Sequence, residues 1–145
     1  MIDRILVVCE GNICRSPMAA ALLAKALPKV GVTSAGTHAP VDRGADPAAI
    51  ELMKQRSLDI GEHVTTPLTA AHLREAQLVL TMTATQRERI KALYSFARGK
   101  VYRLAEHDHL DIVDPYRRGS FFFELALAQI EQGVSHWLPI VQRLS

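Results

Sequence analysis

Short apolar runs alternate along the chain with longer stretches whose apolar positions recur every three or four residues. The runs fall at Ile5–Val8, around Val30–Ser34, at Leu78–Met82 and at Lys100–Leu104, and their length and composition predict strands. Between them, Met18, Leu22, Leu23 and Ala26 mark a helix over about Ser16–Ala26, closed by Pro28. Asp46-Pro47 pairs an N-cap residue with a first-turn proline and opens a helix to about Arg56. Thr69 opens a short helix to about Glu75, and Thr83 one to about Phe96. The last helix begins near Ser120 and places Phe123, Leu127, Ile130, Val134, Trp137 and Val141 at alternating steps of four and three, a single apolar stripe. Pro139 is expected to kink or restart it. This alternation predicts an α/β fold in which a parallel sheet, joined by right-handed crossovers, is covered on both faces. Ligands of such sheets bind beyond the carboxyl ends of the strands, where the loops after Val8, Ser34, Met82 and Leu104 gather.

The first of those loops carries the chemistry. Cys9-Glu10-Gly11-Asn12-Ile13-Cys14-Arg15-Ser16-Pro17 follows the run Ile5–Val8 directly. A small-residue loop running into a helix turns backbone N–H groups inward and adds the helix's positive end, a setting for phosphate. Cys9 sits at its floor, where the same field favours thiolate over thiol. Arg15 can grip two phosphate oxygens through its planar fork. Ser16 and Pro17 suit the N-cap and first turn of the helix. A cysteine that cleaves a phosphate ester also needs a proton donor for the departing oxygen. Asp114-Pro115-Tyr116 supplies one, with Pro115 restricting Asp114 to extended geometry on the loop before the last helix.

These residues resemble the low-molecular-weight protein-tyrosine phosphatase family. The similarity continues in family order through Ser34-Ala35-Gly36-Thr37, Gly44-Ala45-Asp46-Pro47-Ala48, Asp59-Ile60 with His63, Leu78-Val79-Leu80-Thr81-Met82 and Asp114-Pro115-Tyr116. The Gly-Ala-Asp-Pro stretch and the short acid loop look most like the branch found in Gram-negative bacteria. The resemblance implies one domain over residues 1–145, with a four-stranded parallel sheet in the order 2-1-3-4. It implies Cys9 as nucleophile, Asp114 as general acid and then base, and Arg15 with the loop of Glu10, Gly11, Asn12, Ile13, Cys14 and Ser16 as phosphate holder. No metal or other cofactor is implied. By position, Ser16 supports the Cys9 sulfur, and Asn12 braces the loop with Ser34 and His63 as partners. Tyr116 forms an aromatic wall, and Pro40 stands where many relatives place a larger side chain, which implies a more open cleft. The implied partner is an autophosphorylating tyrosine kinase of capsule or exopolysaccharide export. Two departures stand out: Ala20 where relatives often carry Glu, and Thr65-Thr66 where they often carry Arg. Both alter loop support rather than the reaction centre.

Composition narrows the remaining classes. The chain has 145 residues, 48% apolar and 22% charged, enough for one core without metal or disulfide staples. A formal charge of +2 with no dense basic run argues against nucleic acid. The two cysteines share one loop rather than forming a disulfide framework, so the expected setting is a reducing cytoplasm. The N-terminal stretch does not read as a signal peptide, and no run approaches the roughly 20 apolar residues of a membrane span. The histidines and acids show no metal-ligand spacing.

Rival activities separate on single residues. A thioredoxin-coupled arsenate reductase needs further cysteines near the third strand, and Leu78–Arg89 has none. A phosphoarginine phosphatase shares nucleophile and acid but usually places Thr where Ile13 stands, and an apolar side chain there favours a phenyl ring. Two further roles stay open. Cys14 is either a packed side chain or a partner for oxidised Cys9 in a reversible disulfide. Arg117-Arg118 either attracts acidic phosphopeptides or simply faces solvent.

Overall fold

The computed structural model describes residues 1–145. Four parallel strands, β1 (Arg4–Cys9), β2 (Gly31–Gly36), β3 (Leu78–Thr81) and β4 (Val101–Arg103), pair in the order β2-β1-β3-β4. The strand order reverses beside β1, so the loop after β1 opens at the switch point. Five helices complete the fold: α1 (Arg15–Ala26), α2 (Pro47–Lys54), α3 (Ala70–Glu75), α4 (Ala84–Leu93) and α5 (Ser120–Leu144).

The unbroken apolar runs follow from burial on both faces. Along β1, Ile5, Val7 and Cys9 face a core shared with α1, α2 and α5, whereas Leu6 and Val8 face a smaller one closed by Leu73 of α3 and Ile90 of α4. All six residues of the α5 stripe are buried, from Phe123 to Val141. Gly133 lets that helix approach β4's end, since a Cβ there would lie 2.8 Å from the Leu104 carbonyl oxygen. One turn further on, Trp137 Nε1 donates to the same oxygen at 2.9 Å. At the opposite end of the sheet, the Ile2 N–H donates to the Leu144 carbonyl at 2.6 Å, stapling residues 2 and 144 together.

Capping follows the sequence at α2, α3 and α4, where Asp46, Thr69 and Thr83 each accept a first-turn N–H. Three expectations fail. Helix α1 starts one residue before Ser16, with Cys14 at the N-cap and no side-chain cap, because the Ser16 hydroxyl is engaged by Cys9 and Asn12 instead. Helix α5 runs unbroken through Pro139. Pro139 and Ser135, whose carbonyl the proline leaves unpaired, both lie on the exposed side. Buried Trp137 and Val141 hold the turns on either side against the core. The segment predicted as one helix from Thr83 to Phe96 is α4 followed by a short 3-10 turn over Ser95–Ala97.

Candidate active site

The loop from Glu10 to Cys14 joins β1 to α1 and is pressed against β2. Thr37 N–H donates to the Cys9 carbonyl at 3.0 Å and His38 N–H to the Glu10 carbonyl at 2.8 Å. Gly36 makes this approach possible, because a Cβ there would sit 2.6 Å from the Glu10 oxygen and 3.0 Å from the Asn12 Cβ. Asn12 takes a left-handed conformation, φ 56°, which asparagine tolerates better than most residues and which bends the loop into a concave nest. Of the N–H groups from Gly11 to Ser16, only that of Asn12 has an acceptor within the chain, the Cys9 sulfur at 3.1 Å. The N–H groups of Gly11, Ile13, Cys14, Arg15 and Ser16 are left without one. A run of unpaired donors beside a helix N-terminus is a built anion cradle.

Asn12 organises this cradle from behind, fully buried. The Thr66 N–H donates to Asn12 Oδ1 at 2.9 Å, which fixes the orientation of the side-chain amide. Asn12 Nδ2 therefore donates to Ser34 Oγ at 3.0 Å and to Ser16 Oγ at 2.8 Å. Ser16 Oγ, already accepting from Asn12, lies 2.9 Å from Cys9 Sγ, and toward a thiolate the hydroxyl can only donate. His63 braces the backbone rather than the side chain, its Nε2 lying 2.8 Å from the Asn12 carbonyl oxygen.

Arg15 is almost fully enclosed, 4% exposed. Its Nη1 donates to the Ile112 carbonyl at 3.1 Å, and Nη2 lies 3.6 Å from Asp114 Oδ2. The acid loop is anchored just ahead of Asp114. Ile112 N–H donates to the Met82 carbonyl and Val113 N–H to Gln129 Oε1 on α5, at 2.9 and 2.8 Å. Beyond that anchor the loop opens to solvent. The Asp114 side chain is half exposed, with Oδ1 accepting the Tyr116 N–H in a local turn.

Upstream, the segment that reaches this anchor is tied by charge. Glu106 pairs with Arg87 at 2.6 Å and Arg103 at 3.0 Å, while Arg103 also reaches Asp111 at 3.2 Å. Burial alone would raise the Glu106 pKa, but hydrogen bonds from Arg87 and Arg103 outweigh it and bring the pKa down to about 2.

The cleft between these elements holds about 370 Å³ and is lined by Cys9, Glu10, Gly11, Ile13, Cys14, Arg15, Pro40, Asp114 and Tyr116 among the residues singled out from sequence. Asn12, Ser16, Ser34 and His63 stand outside the lining. His38 and Arg43 line it as well, and sequence reading missed both. It also missed the bracing by Thr66, whose backbone amide leaves no side-chain signal, and the Gln129 contact across 16 residues. Cys14 is free, as is Cys9. Its burial, reinforced by the charge of Asp46, pushes the thiol pKa strongly up, so it stays protonated. Arg117 and Arg118 lie over aromatic rings, 5.1 Å from the Tyr116 centroid and 3.7 Å from that of Phe122.

Comparison with known proteins gives one picture. The family described as low molecular weight phosphotyrosine protein phosphatase matches residues 4–145. A probable low molecular weight protein-tyrosine-phosphatase, EpsP of Ralstonia solanacearum, is 49% identical over 144 residues, spanning 99% of each chain. The crystal structure of the tyrosine phosphatase Wzb from Escherichia coli K30 in complex with sulphate superposes with a TM-score of 0.92 at 36% identity, over 97% of this chain and 99% of the other. The YwlE arginine phosphatase from Geobacillus stearothermophilus shares the fold at TM-score 0.90 and 33% identity, over 97% and 93%.

Proposed function

The chain belongs to the low-molecular-weight phosphotyrosine protein phosphatase family, and from that premise we propose that it hydrolyses phosphotyrosine through a phosphocysteine at Cys9. The observation that carries this reading is the ring of unpaired N–H groups around the Cys9 sulfur, closed by Arg15 with Asp114 at its rim. Three non-bridging phosphoryl oxygens fit such a cradle, and the charge they gain in the transition state meets fixed donors.

In the first step Cys9 Sγ attacks phosphorus in line. The S–P bond forms, the P–O bond to the phenol breaks, and Asp114 delivers its proton to the departing oxygen. In the second, Asp114 takes a proton from water, the water oxygen attacks phosphorus, and the thiolate leaves. The hydrogen bonds from Asn12 N–H and Ser16 Oγ stabilise the sulfur both times it carries charge. Asp114 is half exposed, so the water of the second step can reach its carboxylate. Ile13, Pro40 and Tyr116 give the cleft its apolar walls, suited to a phenyl ring. The free thiols of Cys9 and Cys14 suit a cytoplasmic setting. No helix is long and apolar enough to cross a membrane. The substrate that accords with the family branch is an autophosphorylating tyrosine kinase of exopolysaccharide or capsule production.

Phosphate release from a phosphotyrosine peptide and from phosphoarginine, in chelator, tests the reading. Turnover of the peptide, abolished in Cys9→Ser and lowered about 10²-fold or more in Asp114→Ala, is the expected result. Activity surviving Cys9→Ser, or faster release from phosphoarginine than from phosphotyrosine, overturns it.

A further inference from the structure

We propose that Arg43 forms a second anion-binding position on the cleft, recognising a carboxylate or a second phosphoryl group carried by a residue beside the phosphotyrosine. The inference rests on the phosphotyrosine reading above and names the class of protein substrate that the same site prefers.

Four guanidinium groups bear on this cleft or its acid loop, and three are already engaged. Arg15 holds Ile112 and Asp114, Arg117 lies over Tyr116, and Arg118 lies over Phe122. The last two were the sequence's candidates for attracting acidic peptides, yet each guanidinium is drawn onto an aromatic face. Arg43 differs from all three. Its side chain lines the cavity but makes no ion pair, hydrogen bond or ring contact.

Its backbone, by contrast, is fixed. Arg43 N–H donates to Thr65 Oγ1 at 2.9 Å, and the Arg43 carbonyl accepts the Thr65 N–H at 2.7 Å. The same hydroxyl donates to the Pro40 carbonyl at 2.7 Å, and Thr65 is only 3% exposed. One buried hydroxyl thus closes residues 40–43 into a held turn. Three residues later, Asp46 N–H donates to the Ile13 carbonyl at 3.0 Å, tying the segment to the phosphate loop. The arginine's origin is therefore set relative to the phosphate loop, and only its long side chain is left to move. The other unpaired charge of the lining, Glu10, makes no contact with Arg43 within ion-pair distance. A neighbouring anion on the substrate meets Arg43 where the cleft is lined by the turn that Thr65 ties to Pro40.

The test compares kcat/KM for three phosphotyrosine peptides differing at one adjacent residue: Gln, Asp or a second phosphotyrosine. Wild type, Arg43→Gln and Thr65→Val are assayed at low salt and in roughly 0.5 M salt. Wild type is expected to favour the Asp and doubly phosphorylated peptides about three- to tenfold over the Gln peptide, through KM, with the preference fading in salt. Arg43→Gln should bring the ratio to about one. Thr65→Val keeps the charge but frees the turn, and should lower the ratio part of the way. Preference for both charged peptides marks any anion as the ligand, and preference for the doubly phosphorylated one alone marks the phosphoryl group. Turnover of all three peptides without discrimination, or an unchanged ratio in Arg43→Gln, overturns the assignment of Arg43 and leaves the phosphatase reading standing. No turnover of any peptide sinks both.

Discussion

The loop after β1 and the loop before α5 both line the cleft, but they are held in different ways. On the first, Asn12 and Ser16 are fully buried and every side-chain donor and acceptor of Asn12 is engaged. On the second, the chain is pinned at Ile112 and Val113, after which Asp114 and Tyr116 are exposed on either side of buried Pro115 and the backbone makes only local hydrogen bonds. The difference matches the role proposed for each. A cradle that stabilises charge works best when its dipoles are fixed beforehand and need no reorganisation. A proton donor must be aimed correctly and still reach water to be recharged. Arg15 spans the two, buried with the first and bonded to the second.

The contrast can be broken most directly at that bridge. Arg15→Lys keeps the charge but cannot bind the Ile112 carbonyl, Asp114 and two phosphate oxygens at once. The expected loss in kcat/KM on a phosphotyrosine peptide is about 10²–10³-fold. A loss under tenfold would mean that positive charge alone suffices there.

Next in size is the buried brace. Asn12→Gly retains the left-handed backbone and removes three side-chain hydrogen bonds. With about 1 kcal/mol net for each, urea unfolding should show a loss of about 2–3 kcal/mol, together with slower turnover. A variant as stable as wild type would show the cradle to be held by backbone contacts alone.

The charged tether of the acid side should respond to pH. The folded-state pKa of Glu106 lies below its ordinary value, so its contribution is complete above about 4.5 and is lost as pH falls toward about 2. Glu106→Gln should cost on the order of 1–2 kcal/mol at neutral pH, allowing for its partial exposure. It should also flatten the decline in stability between about pH 4.5 and pH 2. Parallel stability curves for variant and wild type would leave the tether without weight.

The smallest effect belongs to Gln129, which fixes the peptide just ahead of Asp114 through a single bond. Gln129→Met should lower kcat about three- to tenfold for esters of poor leaving groups, which need the acid most, and much less for nitrophenyl phosphate. Gln129→Glu keeps an acceptor oxygen and should restore most of the rate. Equal losses on both kinds of ester would point to general disorder rather than a misplaced acid.

Much of this was legible in the chain itself. The strand runs, the Asp46, Thr69 and Thr83 caps and the α5 stripe follow from local rules of period and capping, and the resemblance supplied the sheet order. What escaped reading was long-range or backbone-borne. The Thr66 amide that orients Asn12 has no side-chain signature, and Thr65-Thr66 registered only as a departure from the family pattern. Ser16 looked like a cap because serine at a helix start usually is one. Here its hydroxyl faces the sulfur instead, a choice made by the neighbouring Asn12 amide. Pro139 broke no helix because the lost hydrogen bond falls on the solvent side, which periodicity alone could not weigh against the packing of Trp137 and Val141.

The staple between residues 2 and 144 has a practical meaning. Strand β1 carries the chain from that staple to Cys9 in six residues, a distance of roughly 20 Å. Both ends therefore emerge together on the face of the molecule opposite the cleft. A surface anchor or a fused domain attached at either end would leave the mouth of the cleft pointing outward. A linker of a few residues joining the two ends would allow the chain to be reopened elsewhere, for example at the exposed Arg117–Gly119 turn, without moving the phosphate loop.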